Sequence, residues 1–295
     1  MTIKEAHKII DSFAHKNNYT EDEEFEYIEA LDFMIRSSAD PRYMMQLGGY
    51  YYGQRVFDLA LKYYEMAAEL DYEEANECLG YVWYYGRTGT KDYEKAFKYF
   101  TAAAKRGNTV AKYKIADMYK NGYFVEKDYE KYKKLIRELY PVVKDARYLG
   151  DPLPEVFTRL AAIEAEEGQI DSAIDLYLRA KDFLAQRILY NPFFGNLNIM
   201  KWLIEDLYKL MEPDPIEMDL FDLYYWLTKP CKISFRTGGK RHEVSCIEES
   251  GENVISFEGQ WYRTVDAFFK KATIEDKLLT DKLMTLDDFV LEERA

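Results

Sequence analysis

Residues Leu79 to Ala111 read LGYVWYYGRTGTKDYEKAFKYFTAAAKRGNTVA, and the spacing within this stretch decides the fold. Ala75, Leu79 and Trp83 recur every four residues and share one face of a helix. Gly86 follows, a residue free to take positive φ where a helix ends. Asp92 can open a second helix, because its carboxylate can accept hydrogen bonds from the free amides of the first turn. Ala103 and Ala104 are small enough to let two helices approach closely, and Gly107 closes the second helix. The stretch predicts one helix, a turn and an antiparallel helix.

The same landmarks repeat on both sides. Ala75, Gly86, Asp92, Tyr93 and Lys95 return 36 positions later as Ala111, Gly122, Asp128, Tyr129 and Lys131. Ala60 and Ala68 precede Ala96 and Ala104 by the same interval. The first helix of the earlier copy carries Leu47, Gly48, Tyr51 and Gly53, with a shorter loop. Three copies follow, at roughly 41–75, 75–111 and 111–146. A fixed period of this length marks a stack of hairpins, each burying its apolar face on the next. In the third copy Ile115-Ala116 stand for Leu79-Gly80, and Tyr132 and Leu139-Tyr140 replace alanines. Irregular packing is expected there.

The set Ala75, Leu79, Gly80, Trp83, Gly86, Asp92, Ala96, Phe100, Ala103, Ala104, Gly107 and Ala111 resembles the Sel-one-like repeat of the bacterial type, a relative of the tetratricopeptide repeat. The copy before it has Asp71 where the repeat has glycine. The resemblance covers about a third of the chain. It implies a right-handed α-α superhelix, a role in assembling protein complexes, no catalytic activity, and first helices that line the concave face.

The flanks extend this architecture. Thr2 to Glu5 and Thr20 to Glu23 fit capping boxes. They start two helices, with Ala6, Ile9, Ile10 and Phe13 on the first and Phe25, Ile28, Leu31, Phe33 and Ile35 on the second. The first is expected to end near Asn17-Asn18. After Pro141, which is expected to end the third copy, Leu160, Ala161 and Ala165 face Ala173, Leu176, Ala180 and Leu184 across Gly168. This is a tetratricopeptide-like hairpin, broken at Asn191-Pro192 and followed by a helix over 196–211. Pro213-Asp-Pro215 reads as a linker. The expected organisation is a capping hairpin at 1–40, repeats at 41–146, a further hairpin and helix at 147–212, and a small α+β module at 216–295.

Within that module, 221–227 is a short helix. Residues 231–237 and 240–246 alternate about Gly238-Gly239, a hairpin signal. A two-residue loop sets Cys231 opposite Cys246, Ile233 opposite Val244, and Phe235 opposite His242, all on one face. Val254 to Phe257 and Trp261-Tyr262 are further strands, and Val265 to Lys271 is a helix. Thr273 to Asp276 is expected to cap one more helix, and 285–293 to form a short last one.

Composition narrows the function. The chain has 295 residues and a formal net charge of -13, which repels phosphate backbones and anionic membrane surfaces. Nucleic acid and membrane are therefore excluded as partners. The first residues lack the apolar run of a signal peptide, and Cys78, Cys231 and Cys246 show no CxxC spacing. The chain reads as cytoplasmic, with no metal and no cofactor. His7 and His15 are surface residues and His242 a structural one, and no phosphate loop or HExxH occurs. No catalytic residue is assigned.

The aromatic content, 16%, points instead to recognition. Glu77, Tyr81 and Tyr84 lie off the Ala75–Leu79–Trp83 face. Stacking brings Met45 and Tyr52 from the copy before, and Tyr113, Asp117 and Lys120 from the copy after, to the same side. The expected function is a non-enzymatic scaffold that binds a protein or peptide through these residues on the concave face. The alternative is a small-molecule sensor or enzyme in the C-terminal module, built on Trp226, Phe235, His242 and Trp261. A homodimer paired through the hairpin edge is the third reading.

Overall fold

The computed structural model describes residues 1–14, 19–190, 194–212, 218–249, 251–280, 282 and 286–294. Its contacts fall into two compact units, Met1–Leu135 and Ile136–Ala295.

The first unit is a run of helices: α1 (Ile3–Ala14), α2 (Glu21–Ser38), α3 (Pro41–Gly53), α4 (Phe57–Glu69), α5 (Glu74–Tyr85), α6 (Tyr93–Lys105) and α7 (Thr109–Asn121). Each packs on the next in sequence, as stacked hairpins require. A further helix, α8 (Tyr129–Val143), runs across the boundary between the units. It contains Pro141 and continues to Val143, so Pro141 does not end it.

Caps set the helix starts. Glu23 N donates to Thr20 Oγ1 at 3.3 Å while Thr20 N donates to Glu23 Oε2 at 3.1 Å. Asp92 and Asp128 accept from the amides of Lys95 and Lys131 at 2.9 and 2.8 Å. The expected end of α1 at Asn17-Asn18 lies outside the described residues. On α2 the buried stripe is Ala30, Leu31, Met34 and Ile35, and Phe25 is exposed. Phe25 sits about 240° round the helix from Leu31 at 100° per residue, so it cannot share that stripe.

The repeat residues take the places their chemistry demands. Ala60, Ala75, Ala96 and Ala111 are fully buried between helices. Gly86 and Gly122 hold φ of 60° and 71°, where a Cβ is strained. Asp71 also takes left-handed backbone, with φ 58°. Aspartate tolerates that region better than most residues, which lets it stand where the repeat has glycine. Gly48 lies under the Tyr64 ring and Gly80 under Phe100.

In the second unit α9 (Leu153–Glu166) and α10 (Ile170–Tyr190) form the predicted hairpin, with Gly168 at φ 81°. Leu160, Ala161, Ala173, Leu176, Ala180 and Leu184 are buried. The helix α11 (Phe194–Leu210) follows, then a 3-10 turn (Leu220–Asp222) running into α12 (Leu223–Trp226). The expected break at Asn191-Pro192 and linker at Pro213-Asp-Pro215 lie outside the described residues.

A five-stranded antiparallel sheet completes this unit: β1 (Cys231–Thr237), β2 (Lys240–Glu249), β3 (Glu252–Phe257), β4 (Gln260–Tyr262) and β7 (Leu286–Arg294), in the order β4-β3-β2-β1-β7. The register of β1 on β2 is the one that the Gly-Gly turn predicts, with Cys231 against Cys246, Ile233 against Val244 and Phe235 against His242. All six are buried. The helix α13 spans Val265–Lys271, as expected.

Two expectations fail here. Thr273-Ile274 and Lys277-Leu278 form a two-stranded hairpin, β5 and β6, and no helix. Glu275 and Asp276 both hold positive φ, the requirement of a tight two-residue hairpin turn. Residues 286–294 are likewise a strand, β7, paired with β1. The hairpin therefore has β3 on one side and β7 on the other, and offers no free edge for pairing with a copy of itself.

Candidate functional site

The residues chosen for recognition lie on three first helices, α3, α5 and α7. Met45 and Tyr52 on α3 pack beside Ala60, Tyr64, Leu79 and Val82. Arg87, just past α5, donates from Nε to Tyr52 Oη at 3.0 Å, and its guanidinium lies 4.7 Å from the Tyr85 ring centroid. Asn108 Nδ2 donates to Glu77 Oε2 at 2.7 Å. Tyr81 and Tyr113 share a hydrogen bond of 2.6 Å between their hydroxyls. Tyr84 meets Tyr93, Phe100 and Tyr123 edge-on. Lys120 Nζ sits 5.1 Å from the Tyr132 ring centroid. Tyr113 and Asp117 are buried, while Met45, Tyr52, Glu77, Tyr81, Tyr84 and Lys120 are half-buried.

At the centre is a residue that the sequence reading passed over. Lys114 is 4% exposed, and its ammonium lies 4.9–5.2 Å from the ring centroids of Tyr81, Tyr84, Tyr85 and Tyr113. It donates to Tyr85 Oη at 2.7 Å and stands 4.0 Å from Asp117 Oδ2. Four rings turned on one cation make a rigid aromatic cluster. The signal was available: Lys114 follows Ala111 by three and precedes Met118 by four, which puts it on the inward face of α7.

Burial governs the titration of these rings. It pushes Tyr81 well above the ordinary tyrosine value, with Tyr113 adding to it, and raises Tyr64, with Cys78 adding to it. Tyr177 and Tyr224 are raised the same way, with Asp206 and Asp266 adding to burial. A tyrosine raised in the fold stays protonated where the unfolded chain ionises. Its contribution to stability is complete below about pH 10 and is lost as the pH rises above that. Alkaline titration is expected to ionise exposed rings such as Tyr148 and Tyr190 first, with helicity retained, and the buried rings only together with the loss of helical circular dichroism. Ionisation of every tyrosine with full helicity retained would contradict this burial.

Outside the repeats, the alternative site does not assemble as expected. Trp226, Phe235 and His242 are buried, but Trp261 is 61% exposed, since it alternates on β4 with the buried Tyr262. His242 Nδ1 lies 2.7 Å from Glu258 Oε1, and its ring is flanked by Phe235 and Phe257. Cys231 and Cys246 are free thiols that donate to the carbonyls of Trp226 and Leu227. Burial pushes the Cys231 thiol up to about 12, with Cys246 adding to it, so it is a poor nucleophile. His7 is exposed, with Nε2 2.9 Å from Tyr43 Oη. His15 lies outside the described residues. Among the described residues no group of three or more His, Cys, Asp or Glu side chains is placed to hold a metal ion. None of the described helices is long and apolar enough to cross a membrane.

Residues 41–72, 78–108 and 109–131 match the family model of the Sel1 repeat. No curated protein matches the chain. Among solved structures, similarity extends to a Sel1 repeat protein from Oxalobacter formigenes, at 20% identity over 72% of this chain and 94% of that one, with a TM-score of 0.45. A protective antigen of uropathogenic Escherichia coli strains displaying an SLR fold is 16% identical over 64% of this chain and 46% of its own, at a TM-score of 0.42. PilW, a widely conserved type IV pilus biogenesis factor, is 15% identical over 70% and 90%, at 0.41.

Proposed function

The chain is a Sel1-like repeat protein, with three such repeats between residues 41 and 131, and from that premise we propose that it is a non-enzymatic scaffold. Its first-helix surface, formed by the half-buried Met45, Tyr52, Glu77, Tyr81, Tyr84 and Lys120 and supported from beneath by the buried Tyr113 and Asp117, binds a protein or peptide segment. One observation carries this reading: the tyrosines of α5 and α7 are tied to one another and to Lys114 before any partner arrives. Rings already fixed lose little freedom on binding, so a partner that contacts them gains affinity cheaply. Tyr85, 37% exposed, gives that cluster an open side.

The same reading keeps residues 1–212 as the repeat array and 216–295 as an attached α+β module. It places the protein in a reducing compartment such as the cytoplasm, a view supported by the paired but unlinked Cys231 and Cys246.

Affinity purification from the native cell, read by mass spectrometry, tests the surface. A Met45→Glu, Lys120→Glu double variant changes half-buried residues without opening the tyrosine cluster. It is expected to lose at least one partner that wild type retains, about tenfold or more in yield. Met45→Glu also lowers the melt, because Met45 packs beside Ala60, Tyr64, Leu79 and Val82, so Lys120→Glu alone is tested in parallel and is expected to show the same loss in smaller measure. An identical captured set from both proteins would refute the assignment of this face.

A further inference from the structure

Charge is unevenly spread over the first unit. Residues 1–75 hold 16 Asp and Glu against 7 Lys and Arg. Residues 76–135 reverse this, with 13 Lys and Arg against 7 Asp and Glu. A basic surface is thus set into an otherwise acidic chain, and the net charge of the whole conceals it.

That surface is constructed twice, one repeat apart. Lys95 Nζ lies 3.9 Å from the Trp83 ring centroid, and Lys131 Nζ lies 3.9 Å from that of Tyr119. Gly86 and Gly122, both in left-handed backbone, sit directly against Lys91 and Lys127. A Cβ on Gly86 would come within 2.8 Å of Lys91 Cγ, and one on Gly122 within 3.3 Å of Lys127 Cβ. The missing side chains let each loop fold back and present its lysine. All four lysines are exposed, and Lys95 has an ion pair at 3.7 Å with Asp92.

The loop between Gly122 and Lys127 also carries an apolar group that stands largely in water. Phe124 is 55% exposed and holds φ 66°. An L-residue with a bulky side chain is strained in that region, and a ring half in water gains little from the strain. Phe97 lies against it, 5.7 Å between centroids, and connects it to Tyr119 at 6.2 Å. Phe124 is therefore continuous with the ring that carries Lys131.

We propose that Lys91, Lys95, Lys127 and Lys131, together with Phe124 of the second loop, dock an acidic polypeptide segment that carries an apolar residue among its carboxylates. The carboxylates meet the ammonium groups and steer the encounter, and the apolar residue covers the Phe124 ring. A nucleic acid is the poorer occupant. Glu94 and the capping carboxylates of Asp92 and Asp128 interrupt the lysines, so the site suits carboxylates spaced along a peptide, with an apolar residue for Phe124, better than a phosphate at every nucleotide. The surface shares no residue with the tyrosine face, so each can fail without the other.

Fluorescence anisotropy on the full chain tests this with a fluorescein-labelled peptide of alternating glutamate and phenylalanine, and with its lysine-phenylalanine counterpart. The acidic peptide is expected to bind, more weakly as salt is added, and the basic one not to. Lys127→Glu with Lys131→Glu is expected to weaken binding about tenfold or more. Phe124→Gly is expected to weaken it about tenfold while melting no lower than wild type, because glycine relieves the left-handed strain. Loss of affinity without loss of stability separates a docking ring from a structural one. No binding of the acidic peptide, equal binding of both peptides, or variants indistinguishable from wild type would overturn the proposal. Tighter binding of duplex DNA or of phosphatidylglycerol vesicles than of the acidic peptide would also overturn it, in favour of a general polyanion site.

Discussion

Gly80→Ala is expected to destabilise the first unit by about 2 kcal/mol, although alanine is the better helix former. A Cβ at position 80 would sit 2.5 Å from Cδ1 and Cε1 of Phe100 and 2.9 Å from Cζ. Phe100 cannot retreat. It is fully buried in a cluster with Ala96, Ala103, Ala111 and Met118. Helix propensity returns about 1 kcal/mol, while overpacking of this kind costs about 1–3 kcal/mol or more, so the clash wins. Gly49→Ala is the control, because nothing lies within 4 Å of a Cβ there. It should stabilise by about 0.5–1 kcal/mol. Urea melts of the two variants should move in opposite directions. Adding Phe100→Leu to Gly80→Ala should restore about 1 kcal/mol relative to additivity. A Gly80→Ala protein as stable as wild type would show that the ring does not seat on residue 80.

Lys181→Met is expected to cost more, about 3–5 kcal/mol. Lys181 Nζ lies 2.6 Å from Asp222 Oδ1 and 3.0 Å from Asp219 Oδ2, and Tyr208 donates to the same Asp222 oxygen. Lys181 and Asp222 are both buried, so removing the ammonium strands a carboxylate away from water. Burial pulls the Lys181 pKa down, but Asp222 and Asp219 together more than offset this and hold it above the ordinary lysine value. Burial and Asp219 push Asp222 up, against the pull of Lys181. Because Lys181 is raised in the fold, its contribution is complete below about pH 10.5 and is lost above that. Combining Lys181→Met with Asp222→Leu removes both charges and should recover most of the loss. Denaturant melts of the single and double variants give the comparison, and a double variant worse than Lys181→Met would sink the account.

The sequence was readable where one local rule governed an element. The 36-residue interval set α5 to α7, because Ala75, Ala96 and Ala111 each had to be small where helices meet. Gly238-Gly239 determined a whole hairpin register, since both glycines hold positive φ and the alternation around them is unbroken. The strand β7 was unreadable for the opposite reason. Its register on β1 shifts twice, and Asp288 takes φ 52° at one of the shifts. Each bulge inserts a residue and destroys the two-residue period, so Leu286, Phe289 and Val290 mimic helical spacing. At β5 and β6, Glu275 and Asp276 adopt a turn that asparagine and glycine usually occupy, and an acidic pair suggested a helix cap instead.

For the tyrosine face, spacing found Tyr81 and Tyr113 but not their bond to one another, which depends on how closely α5 and α7 approach. It also passed over Lys114, although its place between Ala111 and Met118 pointed inward. A charged residue at a core position is the signal to heed, because it stays there only when something holds it.

The pairing of β7 with β1 also bears on how the chain is made. In the first unit each helix finds its partner in the next one synthesised, so those hairpins can assemble as they leave the ribosome. The strand β1 must wait. Its hairpin partner β2 emerges at once, but its other edge stays open until Leu286–Arg294 have been translated. For that interval β1 presents an unpaired edge with Ile233 and Phe235 beside it, the kind of surface that chaperones hold and that nascent chains on neighbouring ribosomes can invade.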